Sequence, residues 1–201
     1  MEKLLQQTFN LYVSKLGLKS ALAFAMPKSH LTANGMYDDK TDTVYINRNS
    51  FSQGETVCLF YLLHEMYHAY QHKNDKWFVY YFEYDGKAYR FNKHDGSYFE
   101  CYVMGEKTVL EELYLCNPVE LEANNFAIDA LKKMHADSSK NDAAAAKAIE
   151  YLCREYTPPL KIFTPEKKDL LFAFYCEAVE LAYLGKLQEQ TAVYKKIGML
   201  I

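Results

Sequence analysis

The stretch Val57-Cys58-Leu59-Phe60-Tyr61-Leu62-Leu63-His64-Glu65-Met66-Tyr67-His68-Ala69-Tyr70 decides how the rest of the chain is read. Its apolar residues run almost without a polar break at helical spacing, which predicts a largely buried α-helix. Within it His64 and His68 stand four residues apart and share one helical face, where both imidazoles reach a single ion. Neutral imidazole is a good Zn²⁺ ligand, and Glu65 lies beside that face, where it can take a proton from a water activated at the metal. The competing account makes the histidines ordinary polar residues on a half-buried helix. In a segment this apolar, however, two imidazoles need buried partners, and a metal supplies them. The motif therefore points to zinc-dependent peptide hydrolysis.

With 201 residues the chain has the size of one domain, or of one domain with a helical annex. The hydrophobic fraction of 50% and charged fraction of 24% are those of a soluble globular protein. Eighteen Tyr and twelve Phe are many, and suggest aromatic-lined surfaces or grooves. A net charge of −3 gives no electrostatic footprint for nucleic acid or an anionic membrane, so neither is expected as a partner. The five cysteines are scattered, odd in number and never in C-x-x-C, which argues against a disulfide framework or a thiolate zinc site. The N-terminus is too polar for a signal peptide and no apolar run has the length of a membrane span. A soluble, cytoplasmic protein is expected.

Taken in order, Leu4, Leu5, Phe9, Tyr12, Val13 and Leu16 predict an amphipathic first helix closed by Gly17. Residues 21–26 form a first strand ending at Pro27, and Thr43-Val44-Tyr45-Ile46 a clearer one, in a hairpin with Gly35-Met36-Tyr37. Ser52-Gln53-Gly54-Glu55 has the form of a capping box opening the His64/His68 helix. Asp85-Gly86 and Asp95-Gly96 punctuate an aromatic meander with strands at 77–84, 87–92 and 97–104. A short helix at 106–115 precedes one that starts at Asn117-Pro118 and runs to about His135. After the polar break at 137–142 come a helix at 143–155 and a last one from Thr164-Pro165-Glu166 to about Gly185. The expected architecture is α+β: a metallopeptidase-sized domain over residues 1–136 with a small antiparallel sheet and the meander as an insertion at about 77–104, and a helical extension over 137–201 packed on the same core.

A catalytic zinc needs three protein ligands and an open fourth position. His72 continues the four-residue row, but at about 1.5 Å rise per residue it lies roughly 12 Å along the axis from His64, too far for one ion. A carboxylate on a downstream helix is the alternative, and Glu120-Leu121-Glu122-Ala123-Asn124-Asn125-Phe126-Ala127 supplies it. Glu120 shares a face with Ala123, Asn124 and Ala127, whose small side chains allow a close helix approach. Glu122 is turned about 160° from that face and is expected to leave metal binding nearly untouched. Against Glu120 stands a local role, since Asn117 as N-cap makes it the N3 residue, where a glutamate often completes a helix start.

On His64, Glu65, His68, Glu120, Ala123, Asn124, Phe126 and Ala127, the chain resembles the ImmA/IrrE family of metallopeptidases, and the Thr43–Asn47 segment looks like the strand that leads into that family's active-site helix. The resemblance covers about residues 35–135. It implies a zincin-like fold of the gluzincin type, with Glu120 as third zinc ligand, and an intracellular enzyme that cuts a transcriptional repressor. The residues themselves give a mechanism without that biology: Zn²⁺ on His64, His68 and Glu120 polarises the scissile carbonyl, Glu65 moves the proton from water to leaving amine, and Asn124 orients a histidine ligand from behind. The expected function is that of a zinc-dependent endopeptidase acting on a protein or peptide. The alternatives are a zinc peptidase of another family acting on small peptides, and a non-catalytic module that uses the same scaffold to bind a partner protein.

Overall fold

Helix α1, Glu2–Leu16, buries Leu5, Thr8, Phe9 and Tyr12, a stripe at the i, i+3, i+4, i+7 spacing of one helical face. It stops at Gly17, whose φ of 64° is left-handed. The backbone N–H groups of Gly17 and Leu18 both return to the Val13 carbonyl, the hydrogen bonds of a Schellman-type end that glycine permits without a Cβ clash. A computed structural model describes residues 1–74, 80–84, 87–91, 118–137, 142–156, 170, 173–174, 177–178, 180–181 and 184–200. The chain divides into two compact units, the first made of residues 1–74 and 122–156, the second of 75–121 and 157–201.

In the first unit, strands β1 (Ala21–Ala23), β2 (Gly35–Asp38) and β3 (Thr43–Ile46) form a sheet in the order β1-β3-β2. The expected hairpin is present, with Gly35 opposite Ile46 and Asp38 opposite Thr43. The sheet is not antiparallel throughout, as the sequence suggested, because β1 pairs with β3 in parallel, Ala21 opposite Thr43. Three residues of an alanine-rich strand carry too little local preference to announce a pairing that only the fold as a whole creates. Val44 and Ile46, fully buried at alternate positions of β3, supply the face on which the next helix lies. The chain between β1 and β2 is fixed by Asn47, whose amide donates to the carbonyls of Leu31 and Ala33 at 2.9 and 2.8 Å. The Asn34 side chain accepts from Ser50 Oγ at 2.7 Å, so the backbone entering Gly35 is tied from both sides.

Helix α2, Glu55–Lys73, packs against α1, β2 and β3, and buries all of residues 57–64. The expected capping box does not form. Ser52 lies inside a 3₁₀ turn, Arg48–Gln53, where its hydroxyl donates to the Asn49 carbonyl, and Gly54 at φ 95° makes the turn into α2. A 3₁₀ segment running to residue 53 leaves Ser52 without the extended N-cap backbone that a capping box needs. Helix α3, Pro118–Asp137, buries Ala123, Asn124, Ala127, Ile128 and Leu131, and Phe126 lies between the rings of Tyr12 and Tyr67. Helix α4, Ala143–Tyr156, is capped by Asp142, which accepts from the backbone of Ala144 and Ala145; it buries Ile149 and Leu152 and packs on α2, where Tyr156 meets Phe60.

The second unit contains an antiparallel pair, β4 (Tyr80–Tyr84) with β5 (Lys87–Phe91), the first two strands of the expected meander. Its third strand at 97–104, the 106–115 helix and the 164–166 helix start lie outside the described residues. Gly185, at φ 68°, ends a helical stretch as expected, but the chain does not stop there: helix α5, Leu187–Leu200, follows and buries Gln190 and Val193. The fold is α+β, mostly helical, with a small mixed sheet. Among the described residues no helix is long and apolar enough to cross a membrane.

Candidate metal centre

The 3.6-residue period of α2 puts His64 and His68 one above the other on its buried side, 8% and 3% exposed. Their Nε2 atoms face each other at 2.9 Å, with ring centroids 4.5 Å apart and planes nearly perpendicular at 84°. One nitrogen from each ring and a carboxylate oxygen of Glu65 all fall within 4.8 Å of one another, so His64, Glu65 and His68 form a buried group that can hold a metal ion. Two nitrogens on a tetrahedral ion at 2.0–2.1 Å stand about 3.3 Å apart. The observed pair needs to open by only a few tenths of an ångström to admit one. The packing behind it is firm: the ring of Phe60 lies 5.9 Å from that of His64, and Phe60 is itself held by Tyr156 at 4.6 Å.

Glu65, the partly buried member, leaves α2 towards β2 and lies against the backbone of Gly35. A Cβ at position 35 would meet Glu65 Cγ at 3.0 Å and Oε1 at 3.2 Å. Glycine is needed here for close approach, since it leaves the carboxylate room beside the strand.

His68 is held from its other side by a residue that the motif does not name. Its Nδ1 lies 2.8 Å from Gln71 Oε1, and Gln71 Nε2 donates to Glu122 Oε2 of α3 at 3.4 Å. Gln71 is completely buried. The sequence reading left Glu122 without a part in the site because it is turned away from the Glu120 face. That orientation is the reason for its role, because it points to the flank of α2 on which Gln71 and Tyr67 lie. Tyr67 stacks on Phe126 at 4.6 Å and hydrogen-bonds Glu122. Burial first, then the Glu122 charge, push its phenol up to about 12. The available signal was a glutamine three residues after His68, on the same helical face as the two histidines.

The remaining predicted positions are placed as follows. Asn124 is fully buried on the inner face of α3, and among the described residues neither its amide nitrogen nor its oxygen has a hydrogen-bond partner. A buried amide left so is costly and fits a site completed by something further. Glu120 is one turn earlier on the same helical face, 2% exposed, and belongs to the second unit. His72 turns to the sheet, its Nδ1 3.3 Å from the Tyr37 hydroxyl. Cys58 and Cys153 are free thiols; Cys58 donates to the Ser50 carbonyl at 3.2 Å, and burial raises its pKa. In comparisons with family models, curated proteins and solved structures, the chain has no match.

Proposed function

We propose that the protein is a cytoplasmic zinc-dependent endopeptidase with a zincin-like fold of the gluzincin type. The observation that carries the reading is the convergence of two buried histidine Nε2 atoms at 2.9 Å with the Glu65 carboxylate beside them. A purely structural zinc site has no use for that carboxylate. Paired neutral imidazoles select zinc-like ions over Mg²⁺ or Ca²⁺, which take oxygen ligands. Glu120 is the third ligand in this reading, supported by its burial, by the face it shares with Asn124, and by the resemblance to the ImmA/IrrE metallopeptidases. Asn124 completes its hydrogen bonds by orienting a histidine ligand.

When bound, Zn²⁺ supplies Lewis acidity, which activates water near neutral pH and polarises a carbonyl. Glu65 accepts the proton of the attacking water at its carboxylate and delivers it to the departing amine. Gly35, which has no Cβ, leaves the Glu65 carboxylate its place beside the strand. The substrate is a protein or peptide; the family resemblance points to a transcriptional repressor.

The test measures zinc content and peptide-bond cleavage for the full chain and for Glu65→Gln, against denatured proteins and candidate repressors. Expected are about one zinc per chain in both proteins, and cleavage that falls by roughly 10²–10⁴ in the variant. Zinc binding without cleavage of any protein or peptide would refute the peptidase. Loss of zinc together with activity in Glu65→Gln would give Glu65 the wrong role.

A further inference from the structure

We infer that Gln71 and Glu122 are positioning residues that lock the tautomer of His68, so that its Nε2 lone pair is always turned to the metal position. This rests on the metal-site part of the function proposed above, and not on peptide cleavage. The argument begins at Glu122. A carboxylate only accepts hydrogen bonds, so the Gln71 atom 3.4 Å from Glu122 Oε2 has to be the amide nitrogen. The other end of the same amide, Oε1, is then the atom 2.8 Å from His68 Nδ1. That oxygen also only accepts, so the proton of a neutral His68 sits on Nδ1 and donates to it. Nε2 is left bare, and it is this atom that faces His64 Nε2 at 2.9 Å.

If the Gln71 amide were reversed, an amide oxygen would face the Glu122 carboxylate and an NH₂ would face His68 Nδ1. The imidazole would then carry its proton on Nε2, where it blocks metal binding. Glu122 thus opposes the wrong tautomer through Gln71, and the Tyr67 hydroxyl, donating to the same carboxylate, helps to hold it in place. Histidine ligands are commonly oriented by a partner on their second nitrogen. Here the partner is an amide, which can face either way, and so it needs a residue of its own to set its direction.

The test uses the full metal-free chain with ¹⁵N-labelled histidine, and Zn²⁺ affinity under chelator competition. In the wild type, long-range ¹H–¹⁵N spectra are expected to show neutral His68 protonated on Nδ1. Gln71→Leu should weaken Zn²⁺ binding roughly 10–100-fold and lose that tautomer preference. Gln71→Glu alone sets two carboxylates against each other and should also weaken binding. The exchange Gln71→Glu with Glu122→Gln restores an acceptor to His68 and a donor between the two side chains, and should return affinity to within about threefold of wild type. An Nε2–H tautomer in the wild type, wild-type affinity in Gln71→Leu, or an exchange variant no better than Gln71→Leu would each overturn the lock. The wild-type spectrum needs no variant to fold and no substrate, so it decides the lock even if the chain cleaves nothing.

Discussion

Gly35 on the edge of the sheet and Glu65 on α2 share one space: the glycine has no side chain because the glutamate lies where it would be. Isolated strand glycines are normally a weakness, and alanine at a permitted backbone angle usually stabilises. Here Gly35→Ala is expected to push the Glu65 carboxylate aside by a few tenths of an ångström, with Ile46 Cδ1, 3.3 Å from the new Cβ, limiting escape on the other flank. Cleavage should fall about tenfold for alanine and about a hundredfold for valine, a displacement effect. Zinc affinity should stay unchanged, because the histidines are not touched. Peptidase assays and zinc titration of the two variants check this, and full activity in Gly35→Val would mean that Glu65 is not held by the strand.

Tyr67 gives the site a pH signature. Its phenol is pushed up to about 12 in the folded chain, against about 10 in an unfolded one. Between those values the folded state keeps a proton that the unfolded state gives up. The stability it contributes is therefore complete below about pH 10 and is lost as the pH rises through about 12. The urea midpoint should fall across that window, and less steeply in Tyr67→Phe, which has no proton to lose. Tyr37 and Tyr61, shifted upwards mainly by burial, keep part of the slope in the variant. Identical pH slopes for the two proteins would remove Tyr67 from this account.

What the sequence showed and what it concealed divide along the range of the interactions. Helix α1 with its Gly17 end, the β2–β3 hairpin and the His64/His68 face all follow from residues within a few positions of each other, so periodicity and turn chemistry reveal them. The parallel pairing of β1 with β3 brings Ala21 opposite Thr43, and nothing local marks it. Gln71 and Glu122 are far apart in sequence, and each looks like an ordinary helical residue; only the packing of α3 on α2 makes them a pair. The Ser52 cap was lost for the opposite reason, in that a local 3₁₀ turn overrode a local motif. Helix α5 goes beyond the last helix expected from the sequence, which closes near Gly185, because a left-handed glycine ends one helix without forbidding the next.

Asp42 tests whether the sheet and the candidate site are energetically separate. It is a non-glycine residue with positive φ, at 45°, and its Oδ1 accepts from Ser20 Oγ at 2.5 Å and Tyr37 Oη at 3.1 Å. Asp42→Ala leaves both hydroxyls without their charged acceptor and should cost about 2–4 kcal/mol in urea unfolding. Asp42→Gly loses the same bonds but relieves the left-handed backbone, and should be about 1 kcal/mol less damaging. This network reaches α2 at His72, through Tyr37. Zinc affinity should therefore match wild type in both variants at temperatures where they are folded, and a tenfold loss would show that the sheet tunes the metal position.

Glu120 is where a ligand and a helix start make opposite demands. As the third residue of α3 it could do no more than favour the helix N-terminus, a role worth about 0.3–1 kcal/mol and normally played in solvent. Glu120 is 2% exposed. Burying a carboxylate is expensive unless strong partners compensate, which a metal ion does and a few backbone N–H groups do less well. In the metal-free chain Glu120→Gln removes a buried charge, and its effect on stability there reports what the carboxylate contributes without metal. Its Zn²⁺ affinity should fall by more than the roughly 10–100-fold expected when a ligand's supporting residue is lost, because here the ligand itself is lost. Chelator-competition titration and urea unfolding in the presence of chelator measure the two effects separately. A Glu120→Gln chain that loses stability without metal but binds zinc like wild type would return Glu120 to the helix start and leave the third ligand to another residue.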